Sequence, residues 1–228
     1  NVSIPEGVVF IEDYAFGNCS SLVSITIPST VTFLTKDSFN NCSKLAAIHV
    51  HSENKSYLSI NGVLFTKNKE LFLVPRSNIK REFQIPDGTI SILREAFRDI
   101  DKLTSVTIPE TVTSIGERAF ASCSNLSSIV LPDSVISMGG SVFSYCEKLK
   151  TVRLSSNIKS IPESMFEDCE MLSSITIPNK VTSIGDDAFS GCTSLKVVDI
   201  PNGVISIGNR AFSGCSKLRS VKISESLK

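Results

Sequence analysis

Apolar residues fall along this chain in a fixed order that returns every 23 residues. The stretch LTSVTIPETVTSIGERAFASC, from Leu103 to Cys123, shows one cycle. Leu103, Val106 and Ile108 stand at spacings that suit a short strand with one buried face. Pro109 ends it, because it has no N–H to donate to a ladder. Glu110 and Thr111 turn the chain. Val112 and Ile115 point inward again, and Gly116 is expected to permit a tight bend. Ala119, Phe120 and Cys123 follow; Ala119 and Cys123 are i and i+4, which predicts about one helical turn with its apolar side inward.

One position marks the repeat. Phe16, Phe39, Phe97, Phe120, Phe143, Phe166, Phe189 and Phe212 are separated by 23 residues, except for a gap of 58, or 23 + 35, between Phe39 and Phe97. A fixed period of this length means a solenoid, in which each coil buries its apolar face only against its neighbours. The LxxLxL spacing at the strand is the leucine-rich-repeat signature. The expected fold is therefore a leucine-rich-repeat solenoid, α/β or mainly β. It is a right-handed curved stack of 23-residue coils, with one sheet face, short helical turns opposite and one longer β-rich unit at 51–84. A single domain over 1–228 is expected. The glycine slot varies, with Thr35, Leu93 and Pro162 in it and Met138-Gly139-Gly140 replacing Ile-Gly-x. The opening Val2-Ser3-Ile4-Pro5 reads as the tail of one repeat and Ile223 to Leu227 as the start of another, so a piece of a longer protein is expected.

The pattern IPxxVTSIGxxAFxxCxxLxxI, carried by IPNKVTSIGDDAFSGCTSLKVVDI (177–200) and IPNGVISIGNRAFSGCSKLRSVKI (200–223), resembles the BspA-type leucine-rich repeat family. Tyr57-Leu58-Ser59-Ile60-Asn61-Gly62-Val63-Leu64-Phe65 is similar to the YxSIDGVLF segment of that family. The resemblance implies an extracellular, surface-attached bacterial or protist protein, some relatives of which act as adhesins toward host proteins or other microbes.

Inside the long unit, Asn61-Gly62 between β-prone runs predicts a type I′ hairpin. Thr66 to Lys69 reads as a second turn before another strand at Leu71 to Val74. Each of the seven cysteines, Cys19, Cys42, Cys123, Cys146, Cys169, Cys192 and Cys215, lies three residues after a marker Phe, and Ile100 takes that slot in the third unit. A slot that accepts Ile wants an apolar group. Stacked Cβ atoms also point the same way, whereas a disulfide needs them turned toward each other. A column of buried free thiols is expected.

Lys plus Arg and Asp plus Glu are each 23, a net charge of zero that gives no support to nucleic-acid binding. No apolar run reaches the length of a membrane span, and the N-terminus lacks a basic-then-apolar leader. The histidines, His49 and His51, would share one side of a strand, with Glu53 nearby; no metal or cofactor site is expected from them. No nucleophile has a base partner and no phosphate loop or zinc helix motif occurs, so an enzyme is not expected. Asn-x-Ser sequons stand at Asn1, Asn18, Asn41, Asn54 and Asn125.

The outward positions of the strands form an exposed face. It is small and hydroxylated in the N-terminal half, as at Ser105 and Thr107. It gains Lys150, Arg153, Lys196, Arg219 and Lys222 in the C-terminal half. These five are the candidate ligand-binding residues, suited to an acidic protein segment or anionic glycan. A non-enzymatic surface recognition or adhesion module is expected, cell-surface or secreted and monomeric. Its partner would be a host extracellular-matrix or plasma protein or another microbial surface protein. A structural spacer and an intracellular scaffold are the alternatives.

Overall fold

The computed structural model describes residues 2–222, so the repeat opening expected at Ile223 to Leu227 and the sequon at Asn1 lie outside the described residues. The chain divides into two compact units, Asn1–Lys80 and Arg81–Lys228.

In the second unit, each coil contributes one strand to a parallel sheet. Glu82–Gln84, Ser105–Thr107, Ser128–Val130 and Thr151–Arg153 are hydrogen-bonded in that order, and Ile175–Thr176, Val197–Asp199 and Ser220–Lys222 form a second set. Ser105 faces Ser128 and Val197 faces Ser220, so the register equals the repeat length and like residues stack on like. A second parallel ladder runs through the Ser-Ile pairs: Ser91–Ile92, Ser114–Ile115 and Ser137–Met138, then Ser160–Ile161, Ser183–Ile184 and Ser206–Ile207. The inward side chains are those the periodicity assigned: Leu103, Val106, Ile108, Val112, Ile115, Ala119, Phe120 and Cys123 are all buried.

The return arm of the coil is not helical. Among the described residues the one helical segment is a single 3-10 turn at Lys36–Phe39. The expected turn over Ala119 to Cys123 is instead a run of tight turns, with Arg118 and Ser122 in the left-handed region (φ 54° and 58°). Hydrogen bonding explains the choice. Alternate amides point along the stack: Arg118, Phe120 and Ser122 donate to the carbonyls of Gly140, Val142 and Ser144 in the next coil. The amides between them, Ala119, Ala121 and Cys123, donate three residues back. An α-helix would satisfy the same amides within one coil and leave this arm without bonds to the next. Left-handed residues recur at this position as Glu95, Arg118, Ser141, Ser164, Asp187 and Arg210. Each costs about 1–2 kcal/mol, and the first five donate their N–H across the coil boundary.

Gly116 also serves differently from the bend expected of it. Its φ is not in the left-handed region. A Cβ built there would meet the backbone of the preceding coil, 2.8 Å from the Leu93 carbonyl carbon and 2.9 Å from Arg94 Cα. Gly185 sits in the same way, 2.6 Å from Glu163 N. At Gly116 and Gly185 the preceding coil approaches too closely for a side chain.

The marker phenylalanines stack ring over ring. Centroid separations are 4.8 Å for Phe97–Phe120, 5.7 Å for Phe120–Phe143 and Phe143–Phe166, 5.3 Å for Phe166–Phe189 and 5.2 Å for Phe189–Phe212. Beside them runs the thiol column. The Sγ–H of every cysteine but Cys19 donates to the carbonyl of the marker Phe one coil earlier, as Cys146 does to Phe120 (3.2 Å), Cys169 to Phe143 (3.2 Å) and Cys192 to Phe166 (3.1 Å). All seven cysteines are free, and Cys19 alone is exposed, which departs from the buried column expected for every one of them. The thiol bond also gives Ile100 a reason, since the residue 26 positions earlier is Val74 and not a marker Phe.

The first unit has the same two ladders: Val2–Ser3, Ser24–Ile27 and Ala47–Val50 in one, Phe10–Ile11 and Phe33–Leu34 in the other. Its long segment forms an antiparallel meander, Tyr57–Ile60, Val63–Thr66 and Glu70–Leu73. The turn falls at Asn61-Gly62 with positive φ at both (51° and 80°), as a type I′ turn requires. Two side chains fix the meander to the preceding coil. Asn54, fully buried, donates to the carbonyls of Pro28 (2.7 Å) and Val31 (2.9 Å) and accepts from the amides of Ser56 and Tyr57. The Tyr57 hydroxyl accepts from the Leu34 amide at 3.0 Å. The sequon at Asn54 is thus sealed in the fold, while Asn18 and Asn41 are exposed and bonded to each other.

Candidate functional site

The strand geometry sorts side chains strictly. Along Val197–Asp199, Val198 is buried while Val197 and Asp199 are exposed. The same alternation holds at Ser128–Val130. Lys150, Arg153, Lys196, Arg219 and Lys222 are all exposed on this face. They fall into two columns: Lys150, Lys196 and Arg219 just before the strands, Arg153 and Lys222 at their far ends.

The columns differ electrostatically. Arg153 reaches Asp133 (Nη2 to Oδ2, 3.2 Å) and also donates to the Leu131 carbonyl (3.4 Å). The Asp133 carboxyl is held below its usual range first by hydrogen bonds from Ser156, whose amide donates at 2.9 Å, and then by Arg153. Lys222 stands in register with Asp199 on the paired strand. Charge at the far end is therefore largely offset. Among the described residues, Lys150, Lys196 and Arg219 make no ion pair. Lys196 and Arg219 are neighbours across adjacent coils, since the Arg219 amide donates to the Lys196 carbonyl at 2.9 Å.

Two grooves open along the far ends of the strands. One, about 360 Å³, has Ile175, Ile177, Ile200 and Pro201 in its lining, with Thr176 and Asp199 among its polar groups. The other, about 260 Å³, lies at the equivalent place several coils earlier and is lined by Val106, Ile108, Ile129, Pro132, Glu110 and Arg153. Sequence reasoning missed both grooves. The one signal available was the apolar residue and proline recurring at most strand ends, as Ile177-Pro178, Ile200-Pro201 and Leu131-Pro132, which sets the floor against the following turn.

His49 and His51 are exposed, and the His51 imidazole accepts from the Glu53 amide through Nδ1. Among the described residues no group of three or more His, Cys, Asp or Glu is placed to hold a metal ion. The buried thiols are held in the unreactive neutral form: burial pushes Cys146 up to about 12 and Cys123 and Cys169 well above the ordinary thiol value. No helix among the described residues is long and apolar enough to cross a membrane.

Stacked coils with a parallel strand per repeat and an exposed outer face define a leucine-rich-repeat protein. The chain belongs to the family described as the BspA type leucine rich repeat region, which matches residues 1–80, 75–196 and 160–228. Its structure is similar to that of a leucine-rich repeat protein from Eubacterium ventriosum, with 29% identity and a TM-score of 0.90 over 99% of this chain and 61% of that one. It is also similar to a leucine rich cell surface protein from Faecalibacterium prausnitzii, with 31% identity and a TM-score of 0.64 over 97% of this chain and 59% of that one. The pneumococcal vaccine antigen PcpA, at 19% identity and a TM-score of 0.63 over 99% of this chain and 57% of that one, shares the fold. The chain thus spans about three fifths of the length of these proteins. No curated protein sequence matches it.

Proposed function

We propose that this chain is a non-enzymatic recognition module of a cell-surface or secreted protein, binding a protein partner through the exposed face of its sheet. The repeat phase kept across residues 1–228 supports reading it as one solenoid domain, and a monomer is the simplest state for it. The observation that carries the reading is the exposed sheet face with grooves at the strand ends and, beside them, a column of cations that form no ion pair among the described residues. The description of the Faecalibacterium prausnitzii relative as a cell surface protein supports the location. The candidate partners are host matrix or plasma proteins and the surface proteins of other microbes.

The test measures binding to a panel of such proteins at two salt concentrations, for the chain and for a variant with Lys150, Arg153, Lys196, Arg219 and Lys222 changed to Ser. Salt-sensitive binding that the variant loses is the expected result. No binding anywhere on the panel would shift the reading to a spacer that holds other domains away from the cell.

A further inference from the structure

Lys196 and Arg219 occupy equivalent positions on hydrogen-bonded coils. Coils of a parallel ladder lie about 4.8 Å apart, so the arrangement sets two like charges side by side, which is destabilising unless an anion offsets them. Lys150 extends the same column two coils away. Three residues along the strand from Lys196, Asp199 borders the larger groove, whose lining includes Ile175, Ile177, Ile200 and Pro201. Among the described residues the face therefore carries unpaired cations at one end and, at the other, a groove with an Ile and Pro floor and the opposed charges of Asp199 and Lys222 at its edge.

Resting on the reading of the open face as a protein-binding surface, we infer that it takes an extended acidic peptide segment with two anchors. A carboxylate meets Lys196 and Arg219, and an apolar side chain enters the groove at Thr176 and Ile200. Three residues of strand span about 10 Å, so the anchors are separated by two to four residues of extended chain. A glycan fits less well, because no aromatic side chain lines the groove. The smaller groove is a built-in control. It has a similar Ile/Val/Pro floor, but Ser127 stands where Lys196 stands in the larger one, so that Lys150, at the place of Arg219, has no cation beside it on the preceding coil.

The experiment uses the whole 228-residue chain and a fluorescein-labelled peptide in which Glu and Leu are separated by two alanines, read by anisotropy. A Lys196→Ser/Arg219→Ser variant and a groove-filling Thr176→Trp variant should each bind about tenfold more weakly, as should peptides with Glu→Gln or Leu→Ala. Thr107→Trp, which fills the smaller groove, should leave binding unchanged. Circular dichroism confirms that each variant is folded. Binding that depends on the cations but ignores Thr176→Trp and Leu→Ala would reduce the site to charge attraction and overturn the two-anchor inference, while leaving the open-face reading intact. A sulfated oligosaccharide that outcompetes the peptide would overturn the partner class. Absence of peptide binding alongside salt-sensitive binding to a panel protein would overturn the inference alone.

Discussion

Gly116→Ala separates two accounts of the glycine slot by the sign of its effect. If Gly116 were present only for a bend, its φ would already suit an L-residue, and alanine would stabilise the chain by about 0.4–1 kcal/mol through the unfolded state. The structure predicts the reverse. The added Cβ meets the Arg94 amide nitrogen and lies 2.8 Å from the Leu93 carbonyl carbon. These are backbone atoms and cannot swing aside as a flexible side chain would. The two coils must part by several tenths of an ångström, against the 2.7 Å bond from the Gly116 amide to the Ile92 carbonyl. Overpacking of this kind costs about 1–3 kcal/mol. For 150–250 residues unfolding together that lowers the melting temperature by about 2–4 °C per kcal/mol. Gly203→Ala is the matched control, because its Cβ finds only the carbonyl oxygens of Asn179 and Val181, both at 3.3 Å. Urea unfolding followed by circular dichroism gives the midpoints of both variants. Equal midpoints, or a Gly116→Ala variant more stable than the parent, would refute the inter-coil explanation.

Phe143→Ala removes a fully buried ring stacked between Phe120 and Phe166; it should cost about 3–5 kcal/mol, while Ser128→Ala on the exposed face should be nearly silent by the same unfolding assay. Asn54→Ala leaves the Pro28 and Val31 carbonyls without their donor. Unsatisfied groups cost about 1–3 kcal/mol each, and proteolysis should show the meander at Tyr57 to Leu73 cut more readily. A thiol reagent at neutral pH should label Cys19 rapidly and the other six cysteines slowly. The raised thiols also fix a pH dependence. The folded state favours the neutral thiol, so this stabilisation is complete below the ordinary value of 9.0 and is lost as pH rises toward about 12, the value at Cys146. Replacing Cys146 and Cys169 with Val should flatten that alkaline decline, measured as unfolding midpoint against pH.

The repeat made much of this protein legible before any coordinates. Inward positions such as Val106, Ile115 and Phe120 follow from periodicity alone, because a solenoid stacks equivalent residues and each apolar position meets its own kind. The hairpin at Asn61-Gly62 was equally legible, since only a few residues tolerate positive φ at both turn positions. The return arm was not. Ala119 and Cys123 have helical spacing, and only the neighbouring coil's carbonyls, at Gly140, Val142 and Ser144, show why the amides turn outward to them. The candidate face divides in the same way. Sequence identified the five cations, but which remain unpaired depends on contacts across coils: Asp133 lies 20 residues from Arg153, yet 3.2 Å from it in space.

By itself, then, the order of residues determined the coil, its inward and outward faces and the position of the thiol column, because these depend on a period that any one repeat displays. The tertiary structure decided what depends on two coils at once: the closeness that demands Gly116, the carbonyl that each buried Cys Sγ–H finds, the grooves, and the absence of an ion pair at Lys150, Lys196 and Arg219 among the described residues. The physical reason is that hydrogen bonds, steric contact and charge pairing act over a few ångströms, and in this protein the neighbours within that range lie one repeat away in sequence.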